Sequence, residues 1–132
     1  MRNLLKSIVL ILAILGTINT LAANTNPIPN IEEATLINES NVMFSLDNSR
    51  DSKVFNSVSY NGINKIIKID AKSNIAFIEI LNEKGELEFL MPVGTKILNI
   101  DLLDFEKGNY TINIKMQSAD NKIIHSSLVK AF

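Results

Sequence analysis

The feature that most constrains this fold is an alternation of apolar and polar residues at every second position. In the segment Tyr110–Met116, a tyrosine, two isoleucines and a methionine alternate with Thr, Asn and Lys. Glu86–Met91 and Leu98–Leu102 alternate in the same way, and Val42–Leu46 does so more briefly. Because successive side chains of a strand point to opposite faces, this period predicts half-buried β-strands.

Three further segments extend the predicted strands. Ile75–Leu81 is apolar on both faces, which is typical of a central strand with neighbours on both sides. Ile63–Asp70 places isoleucines among lysines, and β-branched residues favour a pleated strand. Val54, Val58 and Tyr60 share one face of the segment before it.

The predicted turns divide these strands at short intervals. Gly62, Gly85 and Gly108 each stand where a turn needs a positive φ, and Asp120-Asn121 marks one more reversal. The result is about seven or eight short strands, with a roughly 8–12-residue spacing and no convincing helix after the N-terminal segment. We therefore predict an all-β fold, an Ig-like antiparallel β-sandwich, preceded by a cleaved signal helix.

Residues 1–23 have the pattern of a secretory signal peptide. Arg2 and Lys6 precede the apolar run Ile8–Leu15, and the small residues of Thr20–Ala23 suit a signal peptidase. An uncleaved anchor is the alternative, but the apolar run is shorter than a membrane span of about 20 residues. We expect export to the medium or cell surface, or alternatively to the periplasm.

This signal also sets the predicted domain boundaries. Residues 24–34 contain Pro27 and Pro29 and are predicted to form an extended leader, because proline fits poorly into a strand ladder. Residues 35–132 are predicted to form a single β-sandwich domain.

Charge and cysteine content exclude several classes of function. Without Arg2 and Lys6 the chain keeps 11 basic and 14 acidic residues, a net charge of about −3. That balance argues against nucleic acid as a partner, which requires a basic stripe, and against polybasic binding to anionic lipid. The chain has no cysteine, so it has neither disulfides nor an N-terminal lipid-anchor site.

The metal-ligating residues are few. Asp101, Asp104 and Glu106 form the tightest acidic cluster and are weak candidates for calcium, which needs six or more oxygen ligands. The alternative is a turn in which an Asp caps its own backbone. His125 is the only histidine and is interpreted as a structural or surface residue, since a zinc site needs more ligands. We predict no cofactor.

The sequence offers no recognisable catalytic arrangement. It contains no Gly-x-Ser-x-Gly elbow for a serine nucleophile and no glycine-rich phosphate loop. We therefore predict that the protein is not an enzyme. Tyr110, at the start of a strand after a glycine turn, has two interpretations of equal weight: a tyrosine corner bonded through its hydroxyl, or simple core packing.

The second half of the chain resembles a known family. The stretches Asn82–Leu87, Ile100–Phe105 and Lys107–Ile114, with the closing strand that reaches Lys130, resemble the C-terminal sorting domain of the type IX secretion system of Bacteroidota. The resemblance covers roughly residues 63–132. It implies an Ig-like sandwich in which four residues carry the sorting or turn motif: Gly85, Gly108, Tyr110 and Lys130.

Two departures from that family, and the size of the chain, shape the functional prediction. The usual Pro-Asn-Pro opening is missing near Asn61-Gly62, and the tail continues past Lys130 to Phe132. Cleavage before the resembling half would leave only about 40 residues, too few for a stable domain without disulfides. We therefore favour a self-standing module in which the strands before residue 62 complete the sandwich.

Three functions follow, in order of preference. The first is a small exported, non-enzymatic module that binds through loops at one end or through an unpaired edge strand. The second is a sorting element recognised by the type IX secretion machinery, and the third is a calcium-dependent glycan-binding protein. The expected partners are that machinery, a cell-surface protein or a glycan, with no membrane span after signal cleavage. The sequence leaves the oligomeric state open.

Overall fold

The structure is a computed structural model that describes residues 32–118 and 120–132. The predicted signal peptide and all of the predicted leader up to residue 31 lie outside the described residues. The described residues belong to one compact unit.

The described chain consists almost entirely of strands, and every strand pair is antiparallel. The strands are β1 (Ala34–Glu39), β2 (Val42–Leu46), β3 (Phe55–Asn61), β4 (Ile66–Leu81), β5 (Leu87–Asp101), β6 (Gly108–Met116) and β7 (Ile123–Lys130). Two short 3-10 helices, Ser49–Val54 and Leu102–Asp104, connect them. The predicted all-β antiparallel sandwich is confirmed, with a strand number inside the predicted range.

The long β4–β5 hairpin contributes to two parts of the sandwich. The first half of β4 pairs with β3 and with the end of β5, whereas its second half pairs with β6 and with the start of β5. The change occurs where the register shifts, between Asp70 and Ile75. All seven strands are hydrogen-bonded into one sheet. We call the part with the order β1-β2-β7-β6-β4-β5 the larger sheet and the part that joins β3, β4 and β5 the smaller sheet.

Alternate residues of both sheets meet in one apolar core. Isoleucine dominates it because a β-branched side chain packs well on a pleated surface. The predicted alternation of Tyr110–Met116 is confirmed, since its apolar residues are buried and the intervening ones are not. The largest fully buried side chains are Phe44, Leu46, Ile67, Ile69, Ile75, Ile78, Ile80, Ile100, Leu102, Ile112, Ile114 and Met116.

The last strand lies inside the larger sheet rather than at its edge. β7 pairs with β2 on one side and with β6 on the other. Beyond it, the Ala131 N–H donates to the Asn41 carbonyl at 2.9 Å. The Phe132 ring lies 4.5 Å from the Lys130 amine and 5.3 Å from the Lys65 amine. The residues after Lys130 are therefore packed against the sandwich.

Several local predictions differ from the structure. Ile63–Asp70 and Ile75–Leu81, predicted as separate strands, belong mostly to the single strand β4, and Val54 ends a 3-10 helix instead of joining β3. Leu87–Met91 and Leu98–Leu102, predicted as separate strands, belong mostly to the single strand β5, and Leu102 begins a 3-10 helix. In the β3–β4 turn the residue with positive φ is Lys65, at 61°, and not Gly62 as predicted. The prediction for Gly85 is correct, with φ of 82°.

Candidate functional site

The acidic cluster forms a capped turn. The Asp101 carboxylate accepts a hydrogen bond from the Leu103 N–H at 3.0 Å and so caps the short 3-10 helix that contains Asp104. Glu106 contributes its backbone carbonyl, which accepts the Tyr110 hydroxyl. Within residues 32–118 and 120–132, no three His, Cys, Asp or Glu side chains gather into a group that could hold a metal ion. Asp101 and Glu106 instead contribute to the hydrogen bonds of this turn.

Tyr110 has the geometry of a tyrosine corner. Its hydroxyl donates to the Glu106 carbonyl, four residues upstream, at 2.7 Å. Its ring is buried and meets the Phe105 ring edge-on, with 5.3 Å between centroids. Burial raises the pKa of this phenol, and the negative charge of Glu88 raises it further. Both interpretations of Tyr110, the corner and core packing, therefore describe its contacts.

Lys130 and Gly108 lie beside Tyr110. Lys130 points inward, is buried, and donates from its amine to the Phe105 carbonyl. Gly108 is its register partner at the start of β6. Tyr110 and Lys130 thus both contact Phe105, and these contacts tie the β5–β6 connection to the end of β7.

Gly85, the fourth motif residue, belongs to the separate β4–β5 turn, which is organised by Asn82. The Asn82 side-chain oxygen accepts from the N–H groups of Lys84 and Glu86, at 2.9 and 3.0 Å. Its side-chain nitrogen donates to the carboxylates of Glu86 and Glu88, each at 3.0 Å. One asparagine therefore shapes the turn and holds two acidic side chains beside the start of β5.

His125 lies on the outer face of the larger sheet, within a short polar row. Its Nδ1 lies 2.8 Å from the Asn113 side-chain oxygen, and the Asn113 amide nitrogen donates to Glu79 at 3.4 Å. The flanking Ile123 and Val129 on the same face are also exposed. The surface interpretation of this histidine therefore agrees with its position.

The sequence did not identify the open edge of β5 as a candidate site. β5 pairs with β4 alone, whereas the second half of β4 has partners on both sides. Leu87 and Leu90 are 56% and 57% exposed, although they lie in a strand. Alternation shows which face of a strand is buried, but it does not show which side lacks a neighbouring strand. Only the pairing reveals this edge.

A cleft of about 360 Å³ adjoins the same β4–β5 turn. Its lining residues come from this turn and from β6 and β7. Its lining combines amide, hydroxyl and apolar groups with a single carboxylate: Asn82, Glu83, Gly85, Asn109, Tyr110, Thr111, Ser127, Leu128 and Val129. The turn, the cleft and the open edge together offer a surface for binding.

Comparisons with known proteins add no family to this description. No protein-family model matches the chain, and no curated protein matches its sequence. In the part of the chain that the structure covers, no helix has the length and apolar character needed to span a membrane.

Proposed function

We propose that the protein is an exported, non-enzymatic recognition module that acts as a whole sandwich. The observation that carries this proposal is the pairing of β2 with β7, which joins the first strands of the domain to the last. A module of this kind presents loops and strand edges to a partner while its core holds them in place.

The strands before residue 62 are part of the same core as the half that resembles a sorting domain. Phe44 and Leu46 of β2 and Phe55 of β3 are buried in the shared apolar cluster. Removal of residues 63–132 would take away the partners of β2 and β3 and expose these side chains to water. This integration favours the self-standing module over a tail that is cut from its cargo.

Two surfaces of the module are available for recognition. One is the open edge of β5. The other is the end of the sandwich formed by the β3–β4 turn and the β5–β6 connection, which meet through a 2.9 Å bond from the Leu102 N–H to the Lys65 carbonyl. Ile63 and Leu103 at this end are 90% and 65% exposed. These two exposed apolar side chains would supply contact area for a partner at this end.

The export part of the proposal comes from the N-terminal sequence. The charged start, the short apolar run and the small residues up to Ala23 support a cleaved signal. The resulting location is the medium or cell surface, with the periplasm as the alternative. The partner would be a cell-surface protein, a glycan or the secretion machinery that the second half of the chain suggests.

The termini of the exported protein test this proposal. Mass spectrometry of the protein recovered from periplasm, cell surface and medium should show a chain that starts near Ala23 or Asn24 and retains β7. An exported form that lacks the C-terminal strands would contradict the proposal and support the sorting element.

A deletion of Ser127–Phe132 is unsuitable as a test of targeting, because it removes most of a strand that pairs on both sides. A reporter protein fused to residues 63–132 avoids this difficulty. The module proposal predicts that this half does not direct the reporter to the surface, while the sorting element predicts that it does and is then removed.

A further inference from the structure

The start of β5 is an open strand edge with a defined length. We call Leu87–Met91 the β5 edge; it pairs with β4 on one side and has no strand on the other within the described chain. The β5 edge ends before Pro92, because proline has no N–H that could bond to an added strand. Gly94 follows with φ of 75°. A register shift between Leu87 and Phe89 makes Glu88 an extra residue of this strand, and β1 and β3 each have a register shift near one end as well.

Pro92 also indicates which amides the β5 edge presents. A proline within a strand is tolerated where the missing N–H would point away from the neighbouring strand. Leu90 and Pro92 follow one another in the ladder without a register shift, opposite Glu79 and Phe77. Because the direction of the N–H alternates along a strand, Leu90 points its N–H away from β4. The Leu90 amide is therefore available to an added strand.

The β5 edge exposes several apolar side chains, although Glu88 stands among them. Phe89 and Met91 point toward the core and remain partly exposed, although they pack against buried residues. Leu87 and Leu90 are more than half exposed. A strand added here would cover the inner side chains and Leu90 at the same time. Burial of apolar surface and main-chain hydrogen bonds are the two sources of affinity in strand addition.

The charge beside the β5 edge is acidic. Asn82 holds the carboxylates of Glu86 and Glu88, and Glu79 lies opposite Leu90 on β4. In the described part of the chain, neither Glu86 nor Glu88 forms an ion pair with a lysine or arginine. An incoming strand with basic side chains on this face would supply the missing counter-charges.

The same charges act against pairing between two copies of the chain. If two β5 edges paired antiparallel, Glu86 and Glu88 of both copies would be brought to the same strand pair. Like charges that face one another across a strand pair are destabilising, and edge charges of this kind discourage uncontrolled association. The acidic groups therefore select a basic partner over a second copy.

We propose that the β5 edge binds an extended segment of a partner protein as an added antiparallel strand. The segment carries apolar residues toward Phe89 and Met91 and basic residues toward Glu86 and Glu88. This inference rests on the proposed function, because it names the partner class of the recognition module.

The test uses two fluorescent peptides and the exported chain. One peptide alternates valine with lysine, and the matched control alternates valine with glutamate. Fluorescence anisotropy should show that the lysine peptide binds the wild-type protein at least about tenfold more tightly than the glutamate peptide. Equal binding of both peptides, or no binding of the lysine peptide, would overturn the proposal.

Two variants separate strand addition from simple charge attraction. Leu90→Pro removes an outward amide without removing a bond to β4, and it should abolish binding of the lysine peptide. The double variant Glu86→Lys with Glu88→Lys should reverse the preference toward the glutamate peptide. The matched control is Glu39→Lys at the end of β1, which should leave binding unchanged. Circular dichroism and urea unfolding verify that each variant is folded.

The outcomes distinguish this inference from the proposed function. Unchanged binding by folded Leu90→Pro would overturn strand addition at the β5 edge, even if charge reversal has an effect. A dimer in sedimentation that Leu90→Pro dissociates would show that a second copy occupies the edge, and would also overturn the proposal. Either result leaves the recognition module standing, because the termini of the exported chain test that function separately.

Discussion

β7 and the start of β5 are both strands of the larger sheet, but their surroundings differ. β7 has hydrogen-bonded neighbours on both sides, and its inward residues Ile124, Ser126 and Leu128 are completely buried. The first half of β5 has one neighbour, and its inward residues Phe89 and Met91 are only partly covered. The same alternating pattern therefore gives a closed core at one place and an open edge at the other.

This difference shows that pattern and pairing contribute separately to stability. The alternation determines which face of a strand points inward, but the side chains on that face are fully buried only where neighbouring strands lie on both sides. Where the second strand is present, the side chains hold the fold together. Where it is missing, apolar groups stay available to a partner. We expect substitutions in β7 to reduce stability and substitutions on the exposed face of β5 to affect binding instead.

The largest expected effect compares leucines in the two strands. Leu128→Ala in β7 should lower the free energy of unfolding by about 2–5 kcal/mol, because it leaves a cavity in a closed core. The matched Leu90→Ala in β5 should change it by about 0.5 kcal/mol or less, because that side chain is mostly in water. Urea unfolding of both variants measures the difference. Equal losses would contradict the contrast between the strands.

A smaller effect tests whether the two faces of β7 differ. Ser126 is buried and donates to the Ile112 carbonyl at 2.7 Å, whereas the Ser127 hydroxyl donates to Asp47 at 3.3 Å on the surface. Ser126→Ala should cost about 1 kcal/mol, since a buried hydrogen bond is lost. Ser127→Ala should cost much less. An equal loss of stability for both substitutions in thermal unfolding would contradict the difference in burial between the two faces of β7.

Two tyrosines provide a comparison of hydroxyl groups outside β7. Tyr110 donates to Glu106, but the Tyr60 hydroxyl is buried and has no hydrogen-bond partner among the residues that are described. Tyr110→Phe should therefore destabilise the fold by about 1 kcal/mol. Tyr60→Phe should be neutral or slightly stabilising, because it removes an unsatisfied polar atom. Loss of stability in Tyr60→Phe that matches that in Tyr110→Phe would refute this distinction.

The same tyrosines predict a weaker fold at alkaline pH. Burial raises the pKa of both phenols above the ordinary value of 10.0, and the charge of Glu39 adds to the effect at Tyr60. Since the folded state prefers the neutral phenol, this contribution is complete below pH 10 and is lost as the pH rises through the folded-state pKa. The variant with both tyrosines changed to Phe should lose less stability between pH 9 and pH 11, as measured by urea unfolding. An unchanged pH dependence would contradict the assignment.

The sequence predicted the fold class because the alternation of apolar and polar residues at every second position depends only on local strand geometry, and the folded strands keep it. Ile75–Leu81 was correctly predicted as a central strand, since it pairs with β5 and β6. Irregular positions were harder to predict. The register shift between Phe55 and Ser57 places Phe55 in the core, outside the face predicted from Val58 and Tyr60. A bulge adds one residue to one strand and so reverses the alternation beyond it.

The candidate site was less accessible to sequence reasoning than the fold. The Gly108–Tyr110 pair indicated a corner, and its hydrogen bond to Glu106 is present. The β5 edge had no such signal, because Glu86–Met91 has the same alternation as segments that lie inside the sheet. Long-range pairing decides which strand is left open, and pairing partners are far apart in the sequence. The role of the acidic residues beside this edge could therefore be inferred only once the strand pairing was known.

Residue-resolved amide hydrogen exchange on the exported protein tests the contrast between β7 and β5 most directly. Amides of β7 and of the second half of β4 should exchange only through large unfolding events, since both are hydrogen-bonded to neighbours on two sides. The amide of Leu90 should exchange rapidly, because it faces away from β4. Exchange of the Leu90 amide that is as slow as that of β7 would contradict the account, because it would mean that this edge is already covered.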